Sequence, residues 1–404
     1  MPPEPTRRII RHPAEVDAQA WDGLLAQQPD GAACGPFMHH ANLLALHTSG
    51  SATSQTGWTP HWVTLWQGHT LCAAAPLYLK THSYGEYVFD WAWANAYHQH
   101  GLNYYPKGLV AVPFMPVPGP RLLADSAESR TALVLALLDE AQQLGLSSVH
   151  MLFASEADMA ATAPQGWLER KTVQFHWLNA RPTDGFCYEN FDDFLSHLSQ
   201  DKRKKIRQEQ RKVRDAGVHF TWARGADITP ADWDFFYRCH SQTYAEHGNA
   251  PYLSRAFFGD MEHHLASHWL LFKAHNAQGQ PIACSLVALS DDGPHPAAAY
   301  GRYWGALERV DCLHFDACYH QPLAWCIAHG VQRFEGGAQG EHKMARALMP
   351  VATHSAHWLA HPAFADAVER FLSREGVGVE GYLTELEGRS PFRRNPTAPQ
   401  QRPD

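Results

Sequence analysis

Gln278-Gly279-Gln280-Pro281-Ile282-Ala283-Cys284 sits between two strand-like runs, Trp269 to Ala274 and Ile282 to Leu289, and marks a β-hairpin turned at Asn276-Ala277-Gln278-Gly279. The first half of the chain carries an echo, Gln67-Gly68-His69-Thr70-Leu71-Cys72-Ala73, between His61 to Trp66 and Thr70 to Leu79. Downstream of each copy a helix stops at glycine and leads into a strand. The first runs from Leu137 to Leu144, Gly145 and Val149, and the second from Leu323 through Ile327 and Gly330 to Phe334. Two copies of hairpin, helix and strand predict a duplicated α/β unit. Chance recurrence of a common supersecondary pattern is the competing reading.

Outward from that pair, Ala14 to Gln27 is expected as a short helix burying Trp21, Leu24 and Leu25, after a loose leader over residues 1–12. Tyr87 to Trp93 has strand-like, aromatic character. The run Val112-Pro113-Phe114-Met115-Pro116-Val117-Pro118-Gly119-Pro120-Arg121 is too rich in proline for a helix or a central strand. Thr131 to Leu144 predicts an amphipathic helix, and Val149 to Phe153 and Thr172 to Leu178 predict strands. Helices are expected over Phe191 to Leu198, Trp233 to Ala245, Arg255 to His264 and Phe315 to Ala328, with a strand over Ala297 to Trp304. A last helix, Phe364 to Leu386, is expected to break near Gly376 and Gly378. From Ser390 on, the composition is that of a mobile tail.

The 404 residues carry a net charge of −8, with 45% hydrophobic and 12% aromatic content, which fits a packed globular chain of two domains. That balance argues against a protein that coats nucleic acid or an anionic membrane. Eight cysteines without a C-x-x-C pair, and an N-terminus without an apolar core, point to reduced thiols and a cytoplasmic location. No window approaches 18 uninterrupted apolar residues, so no transmembrane segment is expected.

Two stretches concentrate chemistry. Phe334-Glu335-Gly336-Gly337-Ala338-Gln339-Gly340-Glu341-His342-Lys343-Met344-Ala345-Arg346 puts three glycines ahead of an acid, an imidazole, an amine and a guanidinium. Its backbone can approach a ligand closely, and a helix from Glu341 to Met349 would set His342 and Arg346 on one face. A solvated surface connection is the bland alternative. Asp201 to Asp215 holds eight basic residues against three acidic ones, a local charge of +5 that leaves the remainder of the chain near −13. Only Ile206 and Val213 offer apolar anchors, so this helix docks along a narrow seam. Lys202, Arg203, Lys205, Arg207 and Arg211 are the candidate phosphate binders; a solvated charge run is the alternative.

Several segments together carry a resemblance to a known family. They are Lys202 to Val213, His247 to Leu253, Gly301-Arg302-Tyr303-Trp304-Gly305, Cys312 to Tyr319, Gly337 to Lys343, Ser355 to Trp358, and Tyr105-Pro106-Lys107 through Arg121. Over roughly residues 20–394 the chain resembles FemAB-like predicted N-acyltransferases, the peptidoglycan biosynthesis/recognition members of the GNAT superfamily. One departure is Ala347-Leu348, where the family pattern has a glycine and an aromatic.

The resemblance implies an α/β (α+β) fold of two tandem GNAT-like domains with mixed sheets flanked by helices. The domains are expected over residues 13–185 and, opening with the basic helix, 186–390, followed by a flexible tail over 391–404. It implies transfer of an acyl or aminoacyl group from acyl-CoA or aminoacyl-tRNA to an amine, with no tightly bound cofactor and with tRNA and a peptidoglycan precursor among the implied partners. The chain has no clear Arg/Gln-x-x-Gly-x-Gly/Ala loop of the kind that holds the CoA pyrophosphate, which speaks against acetyl-CoA. A non-catalytic module binding a cell-wall precursor or RNA is the alternative.

Amide formation needs an amine proton acceptor, donors for the oxyanion and a proton for the leaving group. Glu341 is the favoured base, with His342 second. Tyr303 and Tyr319 are candidate acids. Arg302 and Trp304 are expected to clamp the acceptor together with Tyr303, and Lys343 and Arg346 to hold an oxyanion or phosphate; Glu335, Gly337 and Gln339 complete the substrate-binding set. Cys312, His314, Asp316, Cys318 and His320 alternate in a spacing that fits no familiar tetrahedral metal site, although a helix would set His314 and Cys318 on one face.

Overall fold

The structure, a computed structural model, describes residues 5–29, 31–291, 293–338 and 340–393. Gln339 and the tail beyond residue 393 therefore lie outside the described residues. The strands in chain order are β1 (Thr6–Ile10), β2 (Trp58–Pro60), β3 (Trp62–Gln67), β4 (Thr70–Ala75), β5 (Leu77–Lys80), β6 (Lys107–Val110), β7 (Leu123–Ala124) and β8 (Ser148–Met151). They continue as β9 (Leu168–Leu178), β10 (His219–Arg224), β11 (Trp269–His275), β12 (Pro281–Leu289), β13 (Ala298–Ala306), β14 (Arg333–Ala338) and β15 (Met349–Leu359).

Two sheets form: a four-stranded one ordered β1-β3-β4-β7, and an eleven-stranded one ordered β10-β11-β12-β13-β14-β9-β15-β8-β6-β5-β2. The repeat is visible in the large sheet, where an antiparallel pair leads each time to a parallel one. These are β5–β6 followed by β6 beside β8, and β12–β13 followed by β13 beside β14. The α/β architecture of two tandem units is thus present. A proline accounts for one difference between the units. Pro76, without an N–H to donate, separates β4 from β5, so the first unit's Gly68 hairpin sits in the small sheet and only β5 continues in the large one.

The centre of the large sheet is woven from both halves. β9 runs antiparallel to β14 on one side and to β15 on the other, and β15 in turn pairs with β8. The core is equally shared: one buried cluster joins Trp21, Trp58 and Phe114 to Trp233, Phe258 and Tyr300.

Several local expectations are corrected. Residues 6–10 form β1 against β3, because Ile10 buries there, and are no loose leader. Trp91–Gln99 is helical, burying Trp93 and Tyr97 one turn apart. The last helix runs unbroken over Pro362–Gly388; Gly376 and Gly378 face open space, and Val368, Leu372 and Leu386 anchor the helix on packing that outweighs a cost of about 1 kcal/mol per glycine. Glu341–Arg346 is a short 3-10 helix, ended at Ala347, whose φ of 63° is left-handed. The chain accepts at Ala347 a conformation that costs an L-residue about 1–2 kcal/mol. No helix among the described residues is long and apolar enough to cross a membrane.

Candidate active site

β13 and β14 pair only over Ala298–Tyr300 with Arg333–Glu335, and then part. On its other side β13 slips register against β12, with Leu286 opposite Tyr303 but Val287 opposite Gly301, so Arg302 is the extra residue of a bulge. β14 likewise shifts against β9 between Glu335 and Ala338. Parting strands leave ladder N–H and C=O groups for something other than a neighbouring strand. A cavity of about 300 Å³ opens in this fork.

Alternation along β14 and the bulge at Arg302 in β13 decide what faces it. Phe334 and Gly336 of β14 line the cavity, as do Arg302, Tyr303 and Trp304 of β13, while Glu335 turns to the opposite face. Glu335 is buried there, its Oε1 accepting from Arg333 Nε at 2.9 Å, and burial raises its pKa to about 7. A methyl group on Gly336 would come within 2.5 Å of Leu348 Cδ2, so only glycine leaves β14 this close to its support.

The segment after β14 closes the cavity with His342 and Lys343. Gly340, at φ 108°, reverses the chain beneath the His342 ring. Lys343 Nζ donates to the Gly337 carbonyl at 3.1 Å; burial and then the nearby Arg302 charge lower its pKa to about 8. The His342 pKa also falls, through burial first and then the charges of Lys343, Arg346 and Lys205, which keeps the imidazole neutral and able to accept a proton near pH 7. Tyr319 stands with its ring centroid 6.4 Å from that of His342. Burial raises the pKa of both Tyr319 and Tyr303, so each keeps its proton to donate.

Among the expected site residues, the fold therefore gathers Arg302, Tyr303, Trp304, Tyr319, His342 and Lys343 around one cavity, with Gly337 at its edge. Three others lie elsewhere. Glu341 is exposed and does not line the cavity; its carboxylate accepts from Tyr382 Oη at 2.7 Å and from Arg389 at 3.1 Å, which holds its pKa below the usual range. Glu335 occupies the far side of β14. Arg346 is buried behind the turn, donating to Glu209 Oε1 at 2.6 Å and to the His342 carbonyl at 2.9 Å, with its guanidinium 3.7 Å from the Phe315 ring centroid.

The basic segment forms one helix, Gln200–Asp215, that buries Ile206 and Val213 as expected and, unexpectedly, Glu209. Glu209 faces both Arg346 and His320, tying the helix to the turn that carries His342. Arg203, Arg207 and Arg211 line a surface groove of about 560 Å³ with Lys204, while Lys202 is half-buried. Lys205 is exposed, and its charge reaches His342.

His314 and Cys318 also line the cavity. They lie one turn apart on the segment Leu313–His320, on one face as a helical reading of that segment implied. Among the described residues no group of three or more His, Cys, Asp or Glu side chains is arranged to hold a metal ion.

Comparison with known proteins bears on the family and the fold. The FemAB-like family model, described as peptidoglycan biosynthesis/recognition, matches residues 12–394. Among solved structures, FemX superimposes with a TM-score of 0.50 at 10% identity, covering 88% of this chain and 98% of its own. The C-terminal domain of a proposed lysylphosphatidylglycerol synthetase from Agrobacterium fabrum gives 0.50 at 10% identity, covering 90% and 96%. A tandem GNAT protein from the clavulanic acid pathway gives 0.44 at 13%, covering 89% and 99%. At these identities the likeness is one of fold. No curated protein matches the sequence.

Proposed function

The chain belongs to the FemAB-like family of peptidoglycan biosynthesis/recognition, and from that premise we propose that it is an N-acyltransferase acting on an amine. The observation that carries the proposal is the cavity in the fork of β13 and β14, with a neutral imidazole and two protonated phenols around it and a cationic groove on the adjoining helix. The acyl group would occupy the fork. Its phosphate-rich carrier, CoA or tRNA, would follow the groove of Arg203, Lys204, Arg207 and Arg211, whose charges suit phosphates.

In this reading His342 takes the proton of the attacking amine, and the amine nitrogen forms its bond to the acyl carbonyl carbon. Arg302 and Lys343 face the oxygen that gains charge. As the tetrahedral species collapses, the bond to the carrier's sulfur or oxygen breaks, and Tyr319 or Tyr303 supplies the proton to that atom. His342 replaces Glu341 as the proposed base because it lines the cavity, whereas Glu341 is engaged with Tyr382 and Arg389 outside it.

The test is product mass spectrometry with acyl-CoAs and aminoacyl-tRNAs as donors and amine-bearing peptidoglycan precursors as acceptors. Amide formation with release of free carrier supports the proposal. Ligand binding without turnover under every donor would leave the recognition module as the better reading.

A further inference from the structure

The repeat gives the fork of β13 and β14 a counterpart in the first unit. There β6 and β8 pair in parallel from Gly108 and Val149 to Val110 and Met151, so Leu152 stands just past the last pair, as Gly336 does in the second unit. The second pair parts around a cavity. The first parts around its own chain. Leu152 N–H donates to the Val110 carbonyl at 3.1 Å, and the proline-rich run 112–121 then enters the gap. Gly119 bridges to Ala154 in parallel, its N–H donating to the Phe153 carbonyl at 3.0 Å. The Arg121 guanidinium fills what remains: Nε donates to the Leu152 carbonyl at 2.9 Å, Nη1 to the Gly119 and Pro120 carbonyls at 3.2 Å each, and Nη2 to the Val117 carbonyl. Phe153 N–H reaches Ser355 Oγ at 3.4 Å and Ala154 N–H the His354 carbonyl at 2.9 Å. Every backbone polar group from the Leu152 N–H to the Ala154 N–H thus has a partner inside the chain. The Arg121 side chain is 1% exposed, and burial lowers its pKa only to about 10, so it stays charged near neutrality. A buried cation is costly unless it is richly hydrogen-bonded, and the planar donor fork of arginine meets that need where parting strands make several carbonyls converge.

We infer that Arg121 is a built-in ligand that keeps the first fork closed, so that the chain takes up one acyl donor, in the second fork, and not two. The inference rests on the acyl-transfer reading for the nature of that donor; the filling of the first fork by a guanidinium stands apart from it. The two units then differ in role. The run that closes the first fork also borders the second, since the Phe114 carbonyl accepts from Arg302 Nη2 at 3.4 Å and the Pro116 carbonyl accepts from Gln174 Nε2 of β9 at 2.7 Å. The first unit thus supplies a wall of the site in the second.

Two measurements test the closed fork without any donor. Hydrogen exchange of the unaltered full chain, read by mass spectrometry, is expected to be as slow over residues 117–122 and 152–154 as over the ladder residues of β6 and β8. Exchange there at least about a hundredfold faster than in those strands would show a fork that opens, and would overturn the inference. Arg121→Ala empties the place of the guanidinium. Its melting temperature should fall, and ethylguanidinium should restore it in a saturable way that ethylammonium does not match. Neither cation should stabilise the unaltered chain or Arg207→Ala. Equal rescue by the two cations, or none by ethylguanidinium, would also overturn the inference. Where Arg121→Ala does not fold, exchange in the unaltered chain decides. Titrated with coenzyme A, the unaltered chain should take up no more than one equivalent, and two equivalents per chain would sink the claim of a single seat. A chain that keeps its first fork closed by these measures but transfers no acyl group would instead count against the enzymatic reading and leave the role of Arg121 standing.

Discussion

Arg346 donates through Nη2 to Glu209 Oε1 at 2.6 Å, with both side chains buried, and so fastens the basic helix to the turn that presents His342. Sequence separates the partners by 137 residues. Glu209→Ala would leave the guanidinium without its counter-charge in the interior and is expected to cost about 3–5 kcal/mol in urea unfolding. The double replacement Glu209→Leu with Arg346→Met should lose much less, since it leaves no unpaired charge. Equal losses in the two variants would show that packing, not charge, holds this joint.

The same joint gives stability a two-sided pH dependence. Burial opposes ionisation of Glu209, but His320 and Arg346 outweigh it and lower its pKa. Its contribution is therefore present above the ordinary glutamate value of about 4.3 and is lost as pH falls through the folded value. Burial also opposes protonation of His320, yet the neighbouring carboxylates of Asp316 and Glu209 prevail and raise its pKa. That contribution is complete below the ordinary histidine value of about 6.5 and fades as pH rises through the folded one. Thermal unfolding from pH 3 to 9 should show both limbs, and His320→Asn should remove the alkaline one.

His342→Gln is expected to lower the transfer rate about 10²–10⁴-fold, with an unfolding free energy within about 0.5 kcal/mol of the parent because the side chain, though it borders the cavity and is partly desolvated there, stays largely exposed. Since the folded pKa lies below 6.5, the acid limb of the rate profile should fall below that pH. Lys205→Gln takes away one of the charges that lower it and should move the limb upward. An unchanged rate in His342→Gln would remove the residue from the mechanism.

Reversing Lys204 and Arg207 to glutamate changes two exposed groove residues. The Kd for a phosphate-bearing donor should rise at least about tenfold and its salt dependence should flatten, while the melting temperature stays put. Binding unaffected by both changes would place the carrier elsewhere.

Gly305→Ala would put a methyl carbon 2.0 Å from the Cys239 backbone carbonyl, where β13 meets the helix Pro230–Glu246. Neither backbone can move aside easily, so a loss of about 3 kcal/mol or more in unfolding free energy is expected. Full stability in that variant would mean that the helix and strand pack less closely than described.

Much of this molecule was written in local pattern. The Gly279 hairpin, the helices that end at Gly145 and Gly330, and the anchors Ile206 and Val213 are set by period, turn chemistry and glycine within a dozen residues, and they appear where that chemistry put them. So was the cluster of ionisable groups after Phe334. Long-range pairing alone decided the remainder. β9 and β15 lie side by side only because each completes a sheet begun elsewhere in the chain, and no window of sequence records its neighbour across space. The same holds for His342 and Glu341. They are adjacent in sequence, but the 3-10 turn sends the imidazole into the fork of β13 and β14 and the carboxylate outward to Tyr382 and Arg389. Residue type supplied the chemistry available; the direction of each side chain followed from packing against segments distant in sequence, such as Tyr382 and Arg389 for Glu341 and Tyr319 for His342.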